Sequence, residues 1–373
     1  MKYYMIVGEA SGDLHASNLI KGLKQEDPEA QVRGWGGDLM REAGAEIVRH
    51  YKDTAIMGFI NVVRKLGTLR DNIRYCCEDI RTWQPDVVIL VDYAGFNLRI
   101  ARFAKGIGLK VFYYISPKLW AWNTGRVKQI KKYVDRMYTI FPFETDFYRR
   151  YNYPVYYGGN PLVDAIDSRP CKEETFSEFI RVNGLPDKPI IALLAGSRKQ
   201  ELKFVLPTML KMIEHFPEYQ FIIAGAPSMT DEDYAPYLQG RQIRILYGMT
   251  YRLVSQATAA LVTSGTATLE TALLRTPQVV CYNGEAARLS YFLFKTVVKV
   301  KFISLVNLIF DGEVKELMMQ HFNERTLVEE LSRIVYSERY REKMLRNYDE
   351  VIRRMGEPGV SGRFARMMVE ALR

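Results

Sequence analysis

Four short segments of this 373-residue chain set polar side chains among small residues in patterns that permit chemistry. "LVTSGTATLE", Leu261 to Glu270, is an apolar run that breaks at Ser264, Gly265 and Thr266 and then turns helical. A serine beside a glycine at such a turn serves either as an activated nucleophile or as part of a phosphate cradle. A helix N-terminus offers unpaired N–H groups and about half a positive charge, which suits a diphosphate. Glu270 falls one turn after Thr266 on the same face, within reach of a ribose diol. Plain N-capping by Ser264 or Thr266, with Glu270 as a solvated first-turn acid, is the competing explanation. "LLAGSRKQE" repeats the theme, because Gly196 and Ser197 allow close backbone approach and Arg198 offers a bidentate contact to phosphate. The nucleophile reading fails on spacing, since a G-x-S-x-G elbow needs a glycine two residues before the serine, and "VTSGT" has none. It also needs a histidine base, and His15, His50, His215 and His321 all read as surface or packing residues in helical or connecting segments.

The other two segments carry acids. "GEASGD", Gly8 to Asp13, has neither the G-x-G-x-x-G spacing of a dinucleotide fingerprint nor the Lys-Ser/Thr of a P-loop. Glu9, Ser11 and Asp13 around Gly12 read equally as polar contacts to a substrate or as a tight turn with Asp13 in the acidic first turn of the next helix. In "VVILVDYAGFN" a continuous apolar run ends at Asp92. Burial at that point raises a carboxyl pKa and suits general-base work, although a strand-terminal Asp more commonly forms a turn. "TDED", Thr230 to Asp233, contains a D-x-D pattern but reads as an acidic helix start, and no other cluster of metal ligands accompanies it.

These loops need strands to hold them. "YYMIVG", "DVVILVD", "KVFYYIS", "RMYTIF" and "PVYYGG" predict one parallel sheet, and "PIIALLAG", "QFIIAGA", "QIRILYG", "AALVTSG" and "PQVVCYN" predict a second. Strands alternating with helices twice over predict two Rossmann-like, doubly wound α/β domains, whose ligands bind beyond the carboxyl ends of the strands. The expected division is residues 1–165, residues 185–323, and a helical C-terminal tail of residues 324–373 that either crosses back to the first domain or exchanges between subunits. Hydrophobic residues at 48% and charged residues at 25% describe an ordinary globular chain. Four cysteines without a C-x-x-C, no signal-peptide apolar region, and no apolar run of roughly 18 to 20 residues point to a reducing cytoplasm and no membrane span. A net charge of +9 asks for an anionic partner. Nucleic acid is the weaker choice, as no basic cluster or recognised module accompanies the charge.

Taken together, "GEASGD", "IMGFINVV", "VDYAGFN", "YYISPKLWAWNTGRVKQI", "FPFE", "GGNPLVD", "LLAGSR", "TSGTATLE" and "ISLVNLI" resemble one family, lipid-A-disaccharide synthase, an inverting glycosyltransferase of the GT-B fold. The motifs span nearly the whole chain in the family's order. The resemblance implies transfer of a diacylglucosamine unit from UDP-2,3-diacylglucosamine to 2,3-diacylglucosamine 1-phosphate, giving a β-1,6-linked disaccharide 1-phosphate and UDP in lipid A biosynthesis. It makes Asp92 the general base, assigns UDP binding to Gly196, Ser197, Arg198, Ser264, Gly265, Thr266, Glu270 and Asn307, and implies neither cofactor nor metal. Glu9, Ser11, Gly12, Asp13, Met57 and Asn97 then form an acceptor-side or structural loop set. Several positions depart from the family pattern. The second acid of the Asp motif is Gly95, the preceding proline is Ala94, Asn61 stands for a frequent Glu, Asn160 stands for a His, and Ala195 alters the usual Pro-Gly-Ser-Arg. A histidine-based mechanism at position 160 is thereby removed.

Both implied substrates are acylated, and "IMGFINVVRKLGTLRDNIRYC" and "RLSYFLFKTVVKVKFISLVNLIF" interleave apolar residues with Lys and Arg as an interfacial membrane surface does. Core helices with snorkelling bases explain the same pattern. The expected location is the cytoplasm, peripheral on the anionic inner face of a Gram-negative inner membrane, with Phe59, Val62, Arg64, Lys65, Leu66 and Arg70 as membrane or acyl-chain contacts; a homodimer is left open. Charge reversal to Glu at Arg64, Lys65 and Arg70 is expected to weaken co-sedimentation with anionic vesicles. Unchanged binding at physiological salt removes that segment from the membrane surface.

Overall fold

A computed structural model of the chain describes residues 1–54, 62–120, 124–284, 302, 304–312, 314–318 and 321–373. They divide into two compact units, Met1–Asp164 with Gly356–Arg373, and Ala165–Met355. Each is a parallel sheet covered by helices.

The first unit contains β1 (Lys2–Ile6), β2 (Gln31–Gly36), β3 (Glu46–His50), β4 (Val87–Val91), β5 (Lys110–Tyr114), β6 (Arg136–Thr139) and β7 (Tyr156–Tyr157), in the order β3-β2-β1-β4-β5-β6-β7. The central strands are uninterrupted apolar runs because helices cover both of their faces; every residue of β4, and Tyr3, Tyr4, Met5 and Ile6 of β1, is buried. The second unit contains β8 (Ile190–Leu194), β9 (Gln220–Gly225), β10 (Arg244–Tyr247), β11 (Ala259–Thr263), β12 (Gln278–Tyr282) and β13 (Glu316–Met318), in the order β10-β9-β8-β11-β12-β13. Strand order therefore reverses between β1 and β4 in one sheet and between β8 and β11 in the other. Such reversal points open the crevice in which doubly wound sheets bind ligands.

Three strands escape the sequence reading. β2 ("QVRGWG") is broken up by Arg33 and two glycines, β3 ("EIVRH") is a half-exposed edge strand, and β13 has three residues. His50 consequently ends a strand, contrary to its expected helical or connecting place. Gly34 lets β2 lie against β1: its φ is +153°, and a Cβ there would stand 1.9 Å from the Met5 carbonyl oxygen.

The expected C-terminal tail is divided. The helices Glu324–Tyr336 and Glu338–Met355 belong to the second unit, and the helix Val360–Glu370 packs on the helix Ala10–Glu26 of the first. Ala365 is buried in this contact, and Gly22 keeps the two helices close, its Cβ position being 3.0 Å from Ala365 Cβ; Phe364 of the same helix packs edge-on against Tyr114 and Tyr138. The start of the terminal helix is capped from outside. The Asp164 carboxylate accepts the N–H groups of Gly359 (2.7 Å), Val360 (3.0 Å) and Ser361 (2.7 Å), donors that a helix cannot satisfy itself.

Met57 and Phe59 lie outside the described residues, as do the side chains of Val62, Arg64, Lys65 and Leu66; Arg70 is exposed on the helix Val62–Trp83. Of the second basic and apolar stretch, Leu305, Val306 and Ile309 are core residues. No helix among the described residues is long and apolar enough to cross a membrane.

Gly34→Ala is expected to destabilise the protein by at least about 2 kcal/mol in urea unfolding, since the backbone of β1 cannot move aside. Gly106→Ala, at a helix end with nothing near its Cβ position, is expected to stay within about 0.5 kcal/mol of the parent.

Candidate active site

β1 and β4 pair in register up to Ile6 opposite Leu90, so the "GEASGD" loop and Asp92 emerge side by side at the reversal point of the first sheet. The chain turns sharply after β4. Asp92 and Tyr93 both adopt left-handed backbone conformations, with φ of +43° and +45°. Two consecutive non-glycine residues in that region are strained and persist only when their surroundings hold them. The Asp92 carbonyl is clamped by two donors, Asn97 Nδ2 at 2.9 Å and the Tyr113 hydroxyl. Asn97 also donates to the Val91 carbonyl at 3.1 Å, and its side chain is fully buried. Asn97 thus shapes the turn. The Tyr93 ring stacks on Phe96 at 5.5 Å and fills the space above Gly8, where a Cβ would lie 2.3 Å from the ring.

The clamp leaves the partly buried Asp92 carboxyl at the strand end. Burial pushes its pKa from 3.8 up to about 6, and the Glu9 carboxylate adds to the rise; Lys118 and the Tyr93 N–H oppose it. A carboxyl with that pKa is ionised at neutral pH yet remains a competent proton acceptor. Ser11 Oγ donates to Glu9 Oε1 at 2.6 Å, and both residues are exposed. Asp13 faces the other way. Its buried carboxylate accepts N–H groups of Gly37 (2.7 Å), Leu39 (3.1 Å) and Met40 (3.2 Å), which makes it a structural tie. Gly12 sits in the same helical turn, and its Cβ position is 2.7 Å from Val7 Cγ1.

Glu144 is the site's unexpected acid. It is the third residue of the helix Pro142–Arg149, and Oε2 accepts the N–H groups of Ile140 (3.2 Å) and Phe141 (3.0 Å). Full burial raises its pKa to about 8, with the Asp92 charge adding to the rise. Proline at the first helical position and Glu at the third in "FPFE" signal the cap. Nothing local signals the approach to Asp92.

In the second unit β8 and β11 pair up to Leu194 opposite Val262, so the Gly196 and Ser264 loops also leave side by side. Gly196 adopts φ +107°, and its Cβ position is 2.4 Å from Glu201 Oε2. Glu201, which the sequence reading did not single out, closes this turn by accepting the Ser197 N–H at 2.8 Å and pairing with Arg198 at 3.2 Å. The Arg198 side chain is 77% exposed, so that ion pair is weak and the guanidinium is free to swing to an anion. Gly265 precedes the helix Thr266–Leu273, and no side chain approaches its Cβ position. The Ser264 N–H donates to the Cys281 carbonyl at 2.9 Å, fixing the turn. Glu270 is no solvated acid: burial raises its pKa, and the Tyr251 hydroxyl donates to it at 3.1 Å.

Asn307 and "TDED" both find their partners within the protein. Asn307 is fully buried, donating to the Val314 carbonyl (2.7 Å) and Glu316 Oε1 (2.8 Å) and accepting the Val314 N–H (2.6 Å). Both amide hydrogens are thus spent inside the protein, and Asn307 ties its helix to the chain at Val314 and Glu316. "TDED" starts the helix Asp231–Leu238, with Asp233 accepting the Thr230 N–H at 3.2 Å and pairing with Lys199 at 2.6 Å.

Solved structures share the fold. The UDP-GlcNAc 2-epimerase of Methanocaldococcus jannaschii, solved with UDP-GlcNAc and UDP, superposes with a TM-score of 0.67 at 14% identity, covering 99% of this chain and 100% of that one. The calicheamicin glycosyltransferase CalG4 gives 0.58 at 14% identity, covering 100% and 98%. At such identity the likeness carries the GT-B-like fold alone. Sequence relatives carry more. The lipid-A-disaccharide synthase of Coxiella burnetii (strain Dugway 5J108-111) is 36% identical over 91% of this chain and 90% of its own length. That of Geobacter metallireducens is 36% identical over 99% and 96%. A family model described as lipid-A-disaccharide synthetase matches residues 3–361. The chain belongs to the lipid-A-disaccharide synthetase family.

Proposed function

We propose that this protein is an inverting glycosyltransferase that condenses UDP-2,3-diacylglucosamine with 2,3-diacylglucosamine 1-phosphate in lipid A biosynthesis, releasing UDP. The observation that carries the mechanism is the Asp92 carboxyl, held at a reversal point by a strained, doubly clamped turn and shifted by burial to about 6. Asp92 takes the proton of the acceptor 6-hydroxyl as that oxygen attacks the anomeric carbon of the donor. The bond from that carbon to the diphosphate breaks, and the electron pair leaves with UDP. Gly196, Ser197, Arg198, Ser264, Gly265 and Thr266 supply small residues, N–H groups and one guanidinium for the diphosphate, where charge grows in the transition state. Glu270 receives the ribose diol, with Tyr251 holding its carboxylate in place. The acylated substrates give the cationic segment that includes Arg70 a task, docking on the anionic inner face of a Gram-negative inner membrane.

The test incubates the protein with both diacylglucosamine substrates and measures UDP and disaccharide. The parent is expected to form both, and no product from it overturns the function. Asp92→Asn is expected to lose at least about a hundredfold in kcat, whereas full activity in the variant removes Asp92 as base. In the parent, kcat/KM is expected to rise with pH through about 6 as Asp92 ionises. Stability runs the opposite way. A carboxyl titrating near 6 when folded and near 3.8 when unfolded loses stabilisation as pH rises between those values. Asp92→Asn is therefore expected to melt above the parent at pH 8, with the gap closing toward pH 4. Arg198→Ala is expected to lower kcat by roughly a hundredfold, through lost stabilisation of the departing diphosphate, at unchanged thermal stability.

A further inference from the structure

The proposed acceptor presents two groups, a 6-hydroxyl and, across the pyranose ring, a phosphate. Asp92 accounts for the first. The turn after β5 begins beside it, because Val91 pairs with Tyr114 and the Asp92 N–H donates to the Tyr114 carbonyl at 3.2 Å. Ile115 takes a left-handed φ of +66° and Leu119 N–H donates to the Pro117 carbonyl at 2.6 Å, so the chain folds tightly around Lys118. Pro117 and Leu119 are buried and Lys118 is exposed, which leaves its ammonium as the charge this turn presents to solvent. Its field reaches the Asp92 carboxyl, yet it makes no hydrogen bond or ion pair among the described residues.

While Arg126 acts on the neighbouring Tyr113, the other charges whose fields meet that of the Asp92 carboxyl among the described residues are acids. Glu9 lies on the exposed loop beside it, and Glu144 is buried behind it. A phosphate brought within one sugar ring of Asp92 and Glu9 is repelled by both unless a cation meets it. Lys118 is the cation whose field opposes theirs at Asp92. An ammonium on a flexible stem suits a phosphate that needs a point charge and no bidentate fork.

We propose that Lys118 binds the acceptor phosphate, and that this contact selects the 1-phosphorylated diacylglucosamine over its neutral counterpart. The inference rests on the proposed function, and equilibrium binding without donor tests it separately. Dissociation constants of 2,3-diacylglucosamine 1-phosphate and of dephosphorylated 2,3-diacylglucosamine, measured in neutral detergent micelles, are compared for the parent, Lys118→Ala and Lys118→Arg. The parent is expected to prefer the phosphorylated acceptor by roughly tenfold or more, as a hydrogen bond to a charged group supplies. Lys118→Ala is expected to lose most of that preference while binding the neutral acceptor within about threefold of the parent; Lys118→Arg is expected to keep most of it. No preference in the parent, an intact preference in Lys118→Ala, or equal weakening toward both acceptors overturns the proposal. Disaccharide formation by the parent is scored in a separate assay, so absence of turnover counts against the proposed function alone.

Discussion

A parallel sheet that grows in both directions has one place where neighbouring strands send their following chains to opposite faces. No crossover helix can fill the gap left there. In this protein the gaps fall between β1 and β4 and between β8 and β11. The remaining features of both candidate sites follow from that constraint. Asp92 and the "GEASGD" loop are neighbours because Ile6 and Leu90 are paired, although their positions lie far apart in the chain. The Gly196 and Ser264 turns are neighbours for the same reason, through Leu194 and Val262.

Holding a carboxyl at such a place costs stability, and the surrounding residues show how the cost is carried. The left-handed turn at Asp92 and Tyr93 is imposed by buried donors, Asn97 and Tyr113, whose positions depend on the helix after β4 and on the neighbouring strand β5. Gly8 makes room for the Tyr93 ring. Burial that raises the Asp92 pKa is the same burial that disfavours its ionised form in the folded protein. Stability and proton affinity are thus set by one environment, and Lys118 is the exposed charge that moderates it.

Much of this was legible in the sequence, and the exceptions share a physical origin. Continuous apolar runs gave away the central strands, since only strands buried on both faces lack polar alternation. Edge strands such as β3 are short, charged and only half-buried along their length, so neither a continuous apolar run nor an alternation marks them out from loops. Asp92 was visible as an acid ending an apolar run; its clamp was not, because Tyr113 reaches it from another strand. Tyr251 went unnoticed for a related reason, since it acts on a side chain of another helix; Glu144 and Glu201 cap turns within four residues of themselves, and what stayed unread was the approach of Glu144 to Asp92. Asn97 and Asn307 illustrate the converse. Residue type and motif suit them to ligands, yet their amide hydrogens are spent on oxygens within the protein. The fold by itself was equally mute about chemistry, since an epimerase and a glycosyltransferase both share it.

The central claim is that the fold delivers Asp92 as a carboxyl of raised proton affinity before any substrate binds. A carbon-13 NMR titration of the Asp92 carboxyl in the free protein, assigned by comparison with Asp92→Asn, measures that property directly. A midpoint near 6 is the predicted result. A midpoint near the ordinary 3.8 would contradict the account, leaving Asp92 as a solvated turn residue with no special claim on the acceptor proton.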